Sequence, residues 1–321
     1  MKEYFPIFLI GLALNSYFFF TNPWLVTDFY SDSYSWFVDF SRSIFQPQTA
    51  YYAESILLPL VGKVIGASRA LIFYKTLCAV ITICLLPVLG VLSRRFFQSF
   101  YKALVFIVLF GLSFNYLRFY ILGFPDPLTI ALLMAAIFQR KASAVFCLVT
   151  LASLSHFSMV VIAVLSLAGL VYASPASTRI SPSKYLSSLL LSLLAGKIIL
   201  VAWYWLFHYQ LQSRVDWAFG KGYTFFLDRY SADLQGFWLT PGILFLVVYG
   251  LISIYFLICR QFLFVAAAIF ALVLAYLALF WTVDGLRVFA VVISASYGYL
   301  LIAFIQGISI ALNSKDAKRL L

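Results

Sequence analysis

Residues 71–95 read LIFYKTLCAVITICLLPVLGVLSRR, an apolar run closed by Arg94-Arg95. About 20 such residues match the thickness of a bilayer core, and a cationic pair at the end marks a cytoplasmic boundary. Comparable runs cover approximately 5–21, 103–122, 127–139, 142–155, 157–173, 185–209, 238–259, 262–281 and 286–311. Read together they give one transmembrane domain over 1–321, an all-α polytopic helical protein of about 10 spans. Continuous runs of this kind exclude a β-barrel, whose strands alternate in hydropathy over ~10-residue segments. The three runs between 127 and 173 are shorter than a full crossing, so their helices are expected to extend into neighbouring polar residues.

Composition supports that class. The chain has 321 residues, 64% of them hydrophobic and only 10% charged, whereas about 25% charged is usual for soluble proteins. The net charge of +11 is spread over short linkers, which argues against nucleic acid as a partner and for topology signals. Cys78, Cys84, Cys147 and Cys259 fall inside apolar runs without CxxC spacing, so they suggest neither a disulfide framework nor a metal site. The first apolar run lacks a small-residue cleavage site and reads as a retained span.

Linker charge sets the expected orientation. Lys2, Arg94-Arg95-Lys102, Arg140-Lys141, Arg179-Lys184, Arg260 and Lys315-Lys318-Arg319 fall at alternate turns, which puts them and both termini in the cytoplasm. The opposite face, extracytoplasmic if this is a bacterial inner membrane, then receives 22–70, the 123–126 turn, the turn at His156, 210–237 and the 282–285 turn. Nine of the eleven acidic residues land there, although acids contribute little to the topology rule. That face reads as the working face.

Two external loops stand out. The first, 22–70, contains PWLVTDFYSDSYSWFVDFSRSIFQPQTAYYAE (23–54), which interleaves Asp28, Asp32, Asp39 and Glu54 with aromatic rings. Such a segment suits a membrane interface, with rings toward lipid and carboxylates toward water. Residues 55–67, SILLPLVGKVIGA, are short and interrupted by Pro59 and Lys63, and read as an amphipathic helix on the same surface. The second loop, 210–237, mixes Arg214, Asp216, Trp217, Lys221, Asp228 and Arg229.

From Glu54 to Phe97, ESILLPLVGKVIGASRALIFYKTLCAVITICLLPVLGVLSRRFF resembles part of the GT-C superfamily of polyprenyl-phosphate-sugar-dependent membrane glycosyltransferases. There, too, a proline-containing surface helix precedes a Gly-x-Ser-type turn and a span with an Arg-Arg-Phe-like cap. The family's acidic motif, often Asp-Glu with a Tyr a few residues on, would be Asp32-Ser33-Tyr34 here, without the second acid. The stretches SFNYLRFYILGFPDPLTIALLMAAIFQRK and LASLSHFSMVVIA are similar to polysaccharide polymerases of the EpsG and Wzy type, with Asn115, Arg118 and His156 at matching places. The resemblance implies a sugar donor on a polyprenyl phosphate, a glycan, lipid or protein acceptor, and a GT-C-like fold among membrane lipids.

Such transfer needs a base for the acceptor hydroxyl and groups that stabilise the departing phosphate. Asp32 is the first choice as base, ahead of Asp28 and Asp39. Asp28 and Asp32 share a face if their segment is helical, and close carboxylates raise one pKa. Asp32 and Asp28 would also hold a divalent ion such as Mg or Mn if one is used. Plain solvation of the loop is the competing reading of all three.

Phosphate-side candidates are Arg118, Asp126, His156, Lys197, Arg229, Asp284 and Arg287. Each has a structural alternative: Arg287 could pair with Asp284 three residues away, Arg229 could be an exposed loop residue, and His156 a hydrogen-bonded structural histidine. Lys197, near the middle of an apolar run, defaults to a functional reading. A transporter or flippase of lipid-linked glycans is the alternative class. It would carry an inverted repeat and broken helices at mid-depth, and no such symmetry is visible. Walker A, HExxH and GxSxG motifs are absent.

Sidedness is directly testable. With Ser33→Cys and Ser181→Cys in separate chains, an impermeant thiol reagent added outside intact cells should label the first and spare the second. Equal labelling would contradict the orientation.

Overall fold

The computed structural model describes residues 3–22, 36–47, 54–113, 124–174, 180–210, 219–220, 223–231, 233–240, 242–281 and 285–313. Among these, every element is helical. In chain order they are α1 (Phe5–Thr21), α2 (Trp36–Arg42), α3 (Leu57–Val64), a 3-10 turn (Ala67–Arg69), α4 (Leu71–Phe97), α5 (Phe100–Ser113), α6 (Asp126–Ile137) and α7 (Ala142–Ser155). There follow α8 (Phe157–Ala173), α9 (Pro182–Leu206), α10 (Tyr223–Tyr230), α11 (Leu234–Trp238), α12 (Ile243–Ile258), α13 (Phe262–Leu277), a second 3-10 turn (Ala278–Trp281) and α14 (Gly285–Asn313).

Four helical stretches, Leu71–Phe97, Pro182–Leu206, Phe262–Phe280 and Arg287–Ser309, are long and apolar enough to cross a membrane, and six shorter apolar helices accompany them. This is a helical membrane protein. Helix α14 is its axis: it packs on α5, α6, α8, α12 and α13, and every residue from Arg287 to Ala303 is buried. A helix apolar on all sides belongs in the middle of a bundle. In α14, 94% of the residues in the apolar window are buried, against 28% in α9, so α9 presents most of its surface to lipid.

The α1–α4 contact shows how sequence dictates packing. Pro87 sits inside α4, and a proline there has no N–H to give to the carbonyl four residues back, that of Ile83. Asn15 of α1 supplies the missing donor: its Nδ2 reaches the carbonyls of Thr82 at 2.6 Å and Ile83 at 2.9 Å. The two backbones come this close because Gly11 faces the kink; a Cβ there would lie 2.8 Å from the Pro87 nitrogen. Small residues at a crossing and a polar side chain bridging to the neighbour are the usual adhesives between helices in lipid.

Contacts sort the linkers into two ends. At one, Arg94 lies 3.7 Å from Glu3, Arg140 donates to the Arg95 carbonyl at 3.2 Å, and Phe96 packs on Phe138. At the other, the Tyr209 hydroxyl donates to the Ile44 carbonyl at 2.6 Å, Phe37 packs on Phe124, and Phe226 stacks on Phe280. The 55–67 segment forms a surface helix: α3 is eight residues long and is clamped to α2 by Ser41 on the Pro59 carbonyl (2.6 Å) and Lys63 on the Arg42 carbonyl (2.7 Å).

One boundary differs from the sequence reading. The 238–259 run is broken, since Gly242 has φ +87°, a left-handed conformation that separates α11 from α12. The 103–122 run is helical over α5, and residues 114–123, with Asn115 and Arg118, lie outside the described residues.

At the kink, Gly11→Val is expected to force α1 off α4 and cost more than Asn15→Ala, which should cost about 1–2 kcal/mol. Thermal unfolding in detergent reads both. A neutral Gly11→Val would mean that the close approach contributes nothing.

Candidate functional site

The site is built around the start of α6, Phe124-Pro125-Asp126-Pro127. Pro127 is tolerated in the first turn because the N–H it lacks would have no helical partner there, and Asp126 places its carboxylate at the positive end of the helix. Two hydroxyls stitch this start to the end of α7: Thr129 donates to Ser155 Oγ at 2.9 Å, and Ser155 reaches the Pro125 carbonyl at 3.3 Å. His156, only 7% exposed, then ends α7 and begins α8. The next backbone N–H, of Phe157, donates to the Glu54 carbonyl at 3.3 Å, tying the end of the first loop to the α7–α8 break.

Arg287 enters from the first turn of α14. Its guanidinium donates to Asp126 Oδ2 at 2.7 Å and lies 4.3 Å above the centre of the Phe124 ring. Both partners are buried, with side-chain exposures of 8% for Arg287 and 1% for Asp126. The ring of Phe37 from α2 packs edge-on against Phe124 at 5.0 Å, so the helix following the acid-rich stretch is seated on this pair. A planar five-donor cation, a carboxylate and an imidazole, drawn from three helices, are the ingredients of anion binding and proton transfer.

The other expected site residues fall elsewhere. Asp39 is paired with Arg42 at 3.0 Å, and its side chain is 60% exposed. Arg229 is exposed on α10, 5.6 Å over the Tyr230 ring. Lys197 is exposed on α9, 4.9 Å over the Phe157 ring. Asp28, Asp32, Arg118 and Asp284 lie outside the described residues. Arg287 is paired with Asp126, 161 positions away. Among the described residues no three His, Cys, Asp or Glu side chains come together as a metal site, and the suggested metal ligands Asp28 and Asp32 are not among them.

Sequence reasoning passed over Lys75. It is 1% exposed near the start of α4, beside the equally buried Tyr74. The signal was available, because an intramembrane lysine is a functional default wherever it occurs.

Fold and site together define a helical membrane protein with a buried Asp126–Arg287 ion pair and a buried His156 at the neighbouring α7–α8 break. The chain matches no protein-family model, no curated protein and no solved structure.

Removing one member of a buried ion pair strands its partner's charge. Asp126→Ala and Arg287→Ala are each expected to lower stability by about 3–5 kcal/mol. The double variant Asp126→Leu/Arg287→Met should be less destabilised than the sum of the two. Thermal unfolding of all four chains tests this, and simple additivity would mean that the pair is not coupled.

Proposed function

We propose that this protein is a membrane glycosyltransferase of the GT-C kind, with about ten spans and its working face outside the cytoplasm. It would move a sugar from a polyprenyl-phosphate donor to a glycan, lipid or protein acceptor. One observation supports this reading above the rest. Two of the seven phosphate-side residues, Asp126 and Arg287, come from separate helices and form a buried ion pair, and a third, His156, is buried at the α7–α8 break, directly after the Ser155 that is hydrogen-bonded to the start of α6.

In the proposed step the acceptor hydroxyl oxygen attacks the anomeric carbon. The bond from that carbon to the phosphate oxygen breaks, and its electron pair stays on the phosphate. The hydroxyl proton passes to a base, with Asp32 and the imidazole of His156 as the groups suited to take it. Arg287 stabilises the charge that builds on the departing phosphate, since its fork can offer two N–H donors to two oxygens. Between turnovers Asp126 holds that fork in place, and the Phe124 face fixes its plane.

The test uses membranes expressing the chain and a panel of isoprenyl-phosphate sugars. Arg287→Lys keeps the charge and loses the fork, so transfer is expected to fall roughly 10²-fold at normal expression. Asp32→Asn should also lower product. Wild-type transfer by a folded Arg287→Lys chain would remove this cluster from the chemistry.

A further inference from the structure

The cap over the start of α4 gathers positive charge. Arg42 of α2 donates from Nε to the Ser68 carbonyl at 2.8 Å and from Nη2 to the Arg69 carbonyl at 3.4 Å. Lys63 of α3 in turn donates to the Arg42 carbonyl at 2.7 Å. Arg69 folds back over the end of α3, where Gly66 has φ +78°; a Cβ on that glycine would lie 3.5 Å from Arg69 Nε. Three cations are thus fastened around one turn of backbone. Among the described residues the acid paired with them is Asp39, 3.0 Å from Arg42, so positive charge is in excess.

An apolar face begins where the charges end. Arg69 is exposed, and exposed Ile72, Phe73, Thr76 and Val80 follow it at helical spacings of three and four, along one side of α4. Val64 and Ile65, just before Gly66, are exposed as well. One continuous surface therefore passes from a guanidinium to hydrocarbon side chains. A free anion would leave the apolar face unused, and a neutral lipid would leave the cations uncompensated. An anionic head on an apolar tail suits both parts.

We propose that the Arg42–Lys63–Arg69 cap binds the headgroup of an anionic phospholipid, whose acyl chains lie along the Ile72–Phe73–Val80 face of α4. The Arg69 fork offers two N–H donors to two oxygens of the phosphodiester, and Lys63 adds a point charge. Arg42 is the positioning residue, because its contacts hold α2 to the turn that carries Arg69. A bound headgroup draws α2, α3 and α4 together and so steadies the helix that seats Phe37 on Phe124. The site stands apart from the Asp126–Arg287 pair and is independent of the transferase reading.

The experiment uses the full chain in phosphatidylcholine nanodiscs doped with phosphatidylglycerol that carries a photoactivatable diazirine in one acyl chain. Adducts are located by peptide mass spectrometry and are expected on residues 64–80. The same probe built on phosphatidylcholine should give few there. A basic side chain beside an anionic lipid contributes about fivefold in affinity, so Lys63→Gln and Arg69→Gln should each lower that yield about fivefold and together about 25-fold. Arg69→Lys, which keeps the charge, should retain most of it, and Arg94→Gln/Arg95→Gln at the far end of α4 should leave it unchanged. Equal labelling by the two probes, or unchanged labelling in the double variant, overturns the site. So does loss of labelling to added inorganic phosphate, which would make the cap a site for free anions. Displacement by an isoprenyl phosphate in preference to unlabelled phosphatidylglycerol also overturns it, by assigning the cap to a carrier lipid. None of these readouts involves sugar transfer, so the lipid site can fail while transfer persists, and the reverse.

Discussion

The ion pair between Asp126 and Arg287 is the constraint on which the arrangement depends. Each charge is removed from water, a cost of several kcal/mol that neither helix could bear alone. Their 2.7 Å contact offsets it, and each then holds the other's helix in register. The central helix α14 is consequently pinned to the start of α6 at one end, and its long apolar body fills the middle of the bundle. The flat Phe124 ring beneath the guanidinium adds a cation–π contact and fixes the plane of the fork.

Unequal helix lengths turn that pin into a site. The short α6 and α7 stop while α9, packed on α7 at Gly196 and Ser153, continues past them, so the polar residues at the α6 start and the α7–α8 break lie alongside the apolar body of α9. Backbone that is not helical survives there only where protein satisfies it. The Thr129, Ser155 and Glu54 contacts do this at the two breaks. Above them, α2 is held by Ser41, Arg42 and Tyr209 to three different segments, which fixes Phe37 on Phe124.

Several of these features were legible in the residues themselves. The Pro125-Asp126-Pro127 turn announces a helix start, His156 punctuates two apolar runs, and an arginine at the head of the last run demands a partner. Helical spacing sees only local neighbours, so the Asp126 contact, 161 positions away, came into view through folding. The same limit explains Asp39 and Arg42, whose spacing of three was enough to make an exposed pair while the acid's position in a rich stretch suggested more. It also explains the two lysines. Lys75 and Lys197 both lie in apolar runs, yet one is enclosed and the other faces lipid, a difference set by which helices pack around them.

The sequence by itself determined that this is a helical membrane protein, where most of its helices begin and end, and which polar residues interrupt them. It could do so because the bilayer imposes length and hydropathy segment by segment. Tertiary structure decided which of those polar residues meet, and which faces of α9 and α14 are exposed or packed against protein. Those outcomes depend on contacts between residues more than a hundred positions apart, such as Asp126 and Arg287, and on close approaches at Gly11 and Gly196. No periodicity within a single helix encodes them.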